Sequence, residues 1–441
     1  LGDVYKRQAQ ILLEEEQEAV ESKALDGLIT EAQKELGILL SQRQREAVKM
    51  VFLNLLSIIS GGPGTGKTTV EKVLLYVYHK TGGRNALLMA PTGRASRRMA
   101  ESTGDVSACT MHNGLGLLGD DEDFEPERMD LEADFIILDE QSMVDMRLAA
   151  AFYRHIRKGT RIVLVGDVNQ LPSVGPGNVF RDLVFCGIVP ITVLDMIFRQ
   201  GQNSRIASNA YLMQENNAML EYGTDFVFLP AASDKEASDI VRKIYLEAAE
   251  QEGIEKVQIL TPYRKRGAVS VNALNELLRE KINPEGAGKA QMKAGGKIFR
   301  TGDKIIQNKN KDGISNGDIG FIRDIYLDED GVEKAEIEFS EGRSVEYGME
   351  EMEMIEHSYA TTIHKSQGSE YPIVIIPWIP MFYKMLKRNI LYTGITRAQV
   401  QVYLVGNKRS IVQAVHSPQA VNRNTLSLIH ISEPTRLRRI S

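Results

Sequence analysis

LLSIISGGPGTGKT, Leu55 to Thr68, is the stretch that decides how this chain is read. Its first half, Leu55 to Ser60, is a short apolar run of the kind that forms a buried strand. Its second half, Gly61 to Thr68, satisfies the phosphate-loop pattern G-x-x-x-x-G-K-[ST], and an amphipathic helical stretch follows directly, which is the context the pattern requires. The glycines let backbone N–H groups turn inward around phosphates, Lys67 reaches the β- and γ-phosphates, and the Thr68 hydroxyl suits Mg²⁺. Gly62, Pro63, Gly64, Thr65, Gly66, Lys67, Thr68 and Thr69 are the expected nucleotide-binding residues.

Outward from this loop, apolar runs alternate with helical stretches: Leu55 to Ser60, Ala86 to Ala90, Phe135 to Leu138 and Arg161 to Val165. That alternation predicts a parallel sheet wrapped by helices. A second set of strands is expected at Val257 to Leu260, Ile373 to Ile376 and Val400 to Val405, giving two α/β domains. Between them, Gly302 to Glu356 carries Gly- and Asp-rich turns separating runs such as Gly320 to Tyr326 and Ala335 to Phe339, which predicts a small all-β insert. Ile11 to Leu40 is Glu/Ala/Leu-rich with helical spacing, and Gly119 to Asp130 is a short acidic insert. The run FIILDEQS ends a strand in Asp139 and Glu140, on the sheet edge that carries the phosphate loop. Asp139 is then expected to hold the Mg²⁺ shell while Glu140 polarises an attacking water. In RIVLVGDVNQLPSVGPG, Gln170 follows the next strand, where it can sense the γ-phosphate.

The chain has 441 residues, 43% of them hydrophobic, which excludes disorder as the dominant state and allows two or three packed domains. No apolar run approaches the roughly 20 residues of a membrane-spanning helix, so no membrane partner is expected. Two cysteines, Cys109 and Cys186, are too few for a disulfide framework or a four-ligand zinc site, which fits a reducing cytoplasm. Both ends read as foreign. Asp3 to Gln8, DVYKRQ, and Leu426 to Ile431, LSLIHI, are translations of one nucleotide string and its reverse complement, as read-through into a sequencing adaptor leaves them. Residues 1–8 and 426–441 are therefore set aside. They carry a net +3, so the remainder of the chain carries −9. An acidic protein of this kind is no general polyanion binder, and nucleic acid is expected only in a locally basic or backbone-lined groove.

The order phosphate loop, DEQSM and GDVNQLPSVGPG resembles that of the superfamily 1 DNA helicases, in their RecD-like branch. Further stretches extend the resemblance across nearly the whole core. LSQRQREAV resembles the adenine-recognising Q motif, with Gln44 in the reading position. MAPTGRASRRMAESTG, with Pro91, Thr92 and Gly93, and CTMHNGLG, with Thr110 and His112, resemble the single-strand contact motifs. LDMIFRQ places Arg199, and LYTGITRA places Arg397, where the family has arginines that cross a domain cleft. ATTIHKSQGSE, with Thr362 and His364, resembles the fifth motif.

The resemblance implies two RecA-like P-loop NTPase domains, residues 41–195 and 196–425, with a Src-homology-3-like barrel at about 310–356 and a helical tail of an absent upstream region at 9–40. It implies ATP and Mg²⁺ as cofactors, and Lys67, Asp139, Glu140, Gln170, Arg199 and Arg397 as catalytic residues. The partners implied are single-stranded DNA and duplex with a 5′ tail, with repair or recombination proteins beyond them and a monomer as the working unit. The activity implied is 5′ to 3′ translocation and unwinding. In this branch the insert at 119–130 forms a strand-separating pin; here its acidity repels phosphate, leaving Phe124 to stack on the end base pair. Gln141 stands where the family has Ala, beyond the carboxylates, with little consequence expected. An ATPase that uses the nucleotide only as a switch is the alternative, distinguished by the contact motifs at Thr92 and Thr362 and by Arg397, which a switch does not need.

Overall fold

The computed structural model describes residues 22–117, 130–195, 204–286, 289–339 and 342–417. They fall into two compact units, one up to Asp195 and one from Ser204. The first runs α1 (Ser22–Glu35), α2 (Gln42–Leu53), β1 (Leu56–Gly61), α3 (Lys67–Lys80), β2 (Ala86–Ala90), α4 (Gly93–Thr103), β3 (Cys109–Thr110), α5 (Met111–Gly114), β4 (Phe135–Leu138), α6 (Met146–Arg154), β5 (Arg161–Gly166), α7 (Val179–Phe185) and β6 (Ile191–Leu194). The strands form a six-stranded sheet in the order β3-β2-β4-β5-β1-β6, every pair parallel. Alternate residues of its central strands serve opposite faces. Ile59, Ile137 and Val163 pack with α1 to α3, whereas Ile58, Ile136 and Ile162 pack with α6 and α7. A strand buried on both faces has no polar side to show, so it reads as an unbroken apolar run. Leu25, Ile29 and Ala32 of α1 are fully buried in the first of these cores, so this helix is a layer of the unit and not an appended tail.

The second unit runs α8 (Arg205–Gln214), β7 (Phe226–Pro230), α9 (Asp234–Glu252), β8 (Val257–Thr261), α10 (Val271–Ile282), β9 (Gln291–Ala294), β10 (Lys297–Arg300), β11 (Lys304–Gln307), β12 (Ile319–Leu327), β13 (Glu333–Phe339), β14 (Ser344–Gly348), β15 (Ile355–His357), β16 (Ala360–Thr362), β17 (Tyr371–Trp378), α11 (Arg388–Thr396), β18 (Ala398–Gly406) and α12 (Lys408–Val415). Its main sheet, β16-β8-β17-β18-β7, is again entirely parallel. Between β8 and β16 lies an antiparallel sheet, β14-β13-β12-β11-β15. Two parallel α/β sheets with an all-β insert in the second are what the residue patterns predicted. The sheet of the insert starts at Lys304, inside the Gly302 to Glu356 span read from the residue pattern and ahead of the 310 implied by the resemblance, and Met292 and Phe299 of the β9–β10 hairpin share its core with Ile305, Ile337 and Tyr347. Among the described residues no helix is long and apolar enough to cross a membrane, and both cysteines are free.

Candidate nucleotide and nucleic-acid site

In a parallel sheet all strands deliver their carboxyl ends to one edge, where ligands of open α/β folds bind. In the first unit that edge receives the loops after β1, β4 and β5. The phosphate loop turns from β1 into α3 through Gly64 and Gly66, whose φ of 72° and 80° lie in the left-handed region that suits glycine. Thr65 Oγ1 donates to the Gly62 carbonyl at 2.8 Å, and Lys67 Nζ donates to the carbonyls of Gly61 and Gly62 at 2.8 and 3.1 Å. The lysine thus lies folded over the loop it is expected to arm. Gln44, only 2% exposed, braces the same loop: its Nε2 donates to the Thr65 carbonyl at 3.1 Å, while its Oε1 accepts from the Ser41 backbone N–H in a capping box that starts α2. The helix start it caps borders a cleft of about 380 Å³ lined by Ser41, Gln42, Arg43, Glu46 and Asp195.

Asp139 and Glu140 follow β4. Asp139 Oδ1 accepts from the Glu140 backbone N–H at 2.7 Å, and Glu140 holds a left-handed conformation, φ 50°, unusual for a side-chain-bearing residue and typical of functional sites. A cavity of about 30 Å³, room for one or two water-sized groups, is lined by Thr68, Glu71, Arg98, Asp139 and Glu140 among others. Burial, then the Glu140 charge, pushes the Asp139 carboxyl up to about 6. Burial, then Asp139, pushes Glu71 well above the carboxylate range. Mg²⁺ fits this donor set as a hydrated ion. Among the described residues no group of three His, Cys, Asp or Glu side chains is arranged to cage a bare cation, whereas a hydroxyl and carboxylates around a small polar cavity suit an ion that keeps its waters.

Gln170, 5% exposed, lies beyond β5 with its Nε2 3.5 Å from Asp167 Oδ2 and its Oε1 without a partner among the described residues. Gln141 is not peripheral as expected. It is buried, its Nε2 3.5 Å from the Asp139 carbonyl and 4.0 Å from Met111 Sδ, so it spans the carboxylate loop and the residue before His112.

The same edge carries the residues expected to meet nucleic acid. Ala90 of β2 pairs with Thr110 of β3, so the loops holding Pro91, Thr92 and Gly93 and the turn holding Thr110 and His112 emerge side by side. Thr92 Oγ1 caps α4 by accepting from the Ala95 N–H, and Thr110 Oγ1 caps α5 by accepting from the Asn113 N–H. Each hydroxyl keeps its proton to donate elsewhere. His112 is exposed. In the second unit Thr362 pairs with Thr261 at the end of β8 and accepts from the Lys365 backbone N–H. His364 is half-buried beside it.

Two groups escaped the sequence reading. Glu71 was one; its signal is a carboxylate four residues after Lys67 in an otherwise apolar helical face. The other is a basic cluster where β16 meets the all-β insert. Arg264 and Lys297 (3.1 Å) share Glu356, and Lys365 bonds Asn308. Burial, outweighing the attraction of Glu356, holds the Lys365 ammonium down at about 8. YRKR after β8 was the signal available. Arg397 caps α11, 2% exposed, with its Nη1 donating to the Ser369 carbonyl at 3.2 Å and its Nε unpartnered among the described residues. Arg199 and Phe124, with most of the acidic insert, lie outside the described residues.

A phosphate loop, a carboxylate pair after β4 and a second parallel sheet interrupted by a β module define a P-loop NTPase fold. Family comparisons agree segment by segment: residues 39–225 match an AAA domain, 274–339 an ATP-dependent RecD-like DNA helicase SH3 domain, and 357–405 a UvrD-like helicase C-terminal domain. Along most of its length the chain is similar to RecD-like DNA helicases. It is 31% identical over 402 residues to the ATP-dependent RecD2 DNA helicase of Deinococcus radiodurans, covering 89% of this chain and 52% of that protein. It is 28% identical to the RecBCD enzyme subunit RecD of Mycolicibacterium smegmatis, covering 87% and 74%. The chain thus spans about half the length of the first relative. In fold it resembles the Pif1 helicase from Bacteroides in complex with ADP-AlF3 and ssDNA, with a TM-score of 0.55 at 16% identity over 91% of this chain and 98% of that one. The Pif1 helicase from Candida albicans gives 0.53 at 18% over 92% and 100%.

Proposed function

We propose that the chain is an ATP-driven motor that moves 5′ to 3′ on single-stranded DNA and unwinds duplex carrying a 5′ tail. One observation supports the coupling of ATP to a strand, the polarity being taken from the resemblance alone: a single sheet edge presents the phosphate loop, Asp139 and Glu140 after β1 and β4, and the two loops expected to touch DNA after the adjoining β2 and β3. Nucleotide chemistry and strand contact are therefore neighbours on one rigid element. Lys67 leaves the carbonyls of Gly61 and Gly62 for the β- and γ-phosphates. Thr68 and Asp139 would hold Mg²⁺, which would supply positive charge to neutralise the phosphate oxygens. Glu140 orients the attacking water, Gln170 senses the γ-phosphate, and Arg199 and Arg397 stabilise the charge on the transferring phosphoryl. Thr92, Thr110, His112, Thr362 and His364 grip the DNA backbone, with Arg264, Lys297 and Lys365 adding charge, so little sequence preference is expected.

The test is steady-state ATP hydrolysis of the whole chain with and without single-stranded DNA, with duplex and RNA as controls, followed by unwinding of 5′- and 3′-tailed duplexes. Stimulation by single strands together with unwinding of the 5′-tailed duplex alone supports the reading. Hydrolysis indifferent to every nucleic acid leaves the nucleotide switch in its place, and unwinding from a 3′ tail overturns the polarity.

A further inference from the structure

The search leads back to the floor of the nucleotide site and to a carboxylate that no part of the proposed chemistry uses. Glu71 sits on α3 three residues after Thr68 and four after Lys67, so all three share one helix face. That face looks onto the end of β4 and onto Arg98 of α4, and Thr68, Glu71, Arg98, Asp139 and Glu140 line one cavity of about 30 Å³. Glu71 is 1% exposed, and neither carboxyl oxygen has a hydrogen-bond partner among the described residues. A buried acid is ordinarily retained only where donors satisfy it, because an unsatisfied one forfeits its hydration for nothing. Here the cations Lys67 and Arg98 act on it through space but do not bond it. Glu71 instead lines a space large enough for a water or two, beside the hydroxyl and the aspartate that suit a hydrated divalent cation.

We propose that Glu71 is a positioning residue for the nucleotide's Mg²⁺: its carboxylate accepts hydrogen bonds from waters of the metal's hydration shell and does not ligate the metal itself. This rests on the assignment of Thr68 and Asp139 to the metal. It makes the grip on the metal depend on a third carboxylate, contributed by the helix after the phosphate loop and not by the strand that ends in Asp139. Outer-shell acceptors of this kind fix the orientation of the inner ligands, and their loss typically weakens metal affinity about 10- to 100-fold.

The test uses the full chain with ADP and Mn²⁺ as probes. ADP affinity is measured by calorimetry with the metal absent and present, and Mn²⁺ binding to the protein–ADP complex by electron paramagnetic resonance. Glu71→Gln keeps the size and the burial and cannot present a carboxylate to the metal's waters. It is expected to weaken Mn²⁺ binding to the ADP complex about tenfold or more while metal-free ADP affinity stays unchanged. Glu71→Asp, which keeps the charge, is expected to recover part of the loss. Equal Mn²⁺ affinity in wild type and Glu71→Gln overturns the assignment, as does a loss of the same size in metal-free ADP binding, which marks a merely structural residue. If the wild type itself shows no metal dependence of ADP binding, the nucleotide-site reading falls first, and the two failures are distinguishable.

Discussion

Lys67 holds two carbonyls of its own loop, through bonds of 2.8 and 3.1 Å to Gly61 and Gly62. The ammonium thereby stiffens its own loop, and a charged donor to a carbonyl is worth more than a neutral one. Lys67→Ala is expected to abolish ATP hydrolysis, read as phosphate release, because no other ammonium reaches the phosphates from that helix turn. Arg397 presents the opposite case. It is buried, anchored by one bond to Ser369, and its removal leaves a hole in the second unit. Arg397→Ala is expected to lower hydrolysis about 10³-fold or more while nucleotide binding survives; normal hydrolysis by this variant removes the arginine from the reaction. Melting of the variant, followed beside the kinetics, separates a loss of fold from a loss of chemistry. Residues inside short motifs were legible because their chemistry depends on neighbours within a few positions. Glu71 was not, because its meaning depends on Asp139 and Arg98, which only the packed sheet brings to it.

At the scale of elements, the strands found by pattern are the apolar runs buried on both faces and, in the insert, the longer alternating runs of β12 and β13. Phe135 opens one of them and is 1% exposed, with its ring 4.8 Å from Tyr78 and 6.0 Å from Phe52 in near-parallel stacks. Phe135→Ala is expected to cost about 3–5 kcal/mol, read as a fall in the denaturant midpoint at unchanged slope, since the cavity opens between β4 and two helices that cannot close on it. The strands that escaped are short or edge-placed. Cys109–Thr110 and Ala360–Thr362 pair on one side only, and two or three residues cannot display a period. Yet these edge strands carry the residues assigned to nucleic acid, so pattern is weakest where contact is expected. The β9–β10 hairpin had a signal that was missed: Gly295 and Gly296, with φ of 55° and 74°, are the two-residue turn that joins paired strands. Its strands are only four residues long, and the hydrophobic partner that gives them a core, Ile305 onward, comes later in the chain.

Over the whole molecule, the proposed function asks an acidic chain to attract a polyanion, and the excess of negative charge makes each buried cation near the proposed contact edge count. Lys365 is the clearest of these, its ammonium held at about 8 by burial and by Arg264 and Lys297 despite Glu356. Because its folded pKa lies below the ordinary value of 10.5, the folded state binds fewer protons than the unfolded one between about 8 and 10.5. In the DNA-free protein this group's contribution to stability is therefore complete above the unfolded pKa and is lost as the pH falls through about 8. A phosphate beside the ammonium reverses the sign, because the strand binds the charged form. Single-strand affinity is then expected to fall as the pH rises from 7 to 9, by up to about tenfold for one such group, while the DNA-free protein gains stability over the upper part of that range. Lys365→Arg, charged throughout, is expected to flatten both profiles, and Lys365→Met to weaken binding at pH 7 while reducing the salt slope of log affinity by about 0.7, the contribution of one phosphate contact on a single strand. Fluorescence anisotropy of a labelled oligonucleotide across pH and salt, with thermal melting of the free protein beside it, measures both signs. Profiles that move in the same direction, or an unchanged salt slope in Lys365→Met, place the strand away from the junction of β16 with the all-β insert.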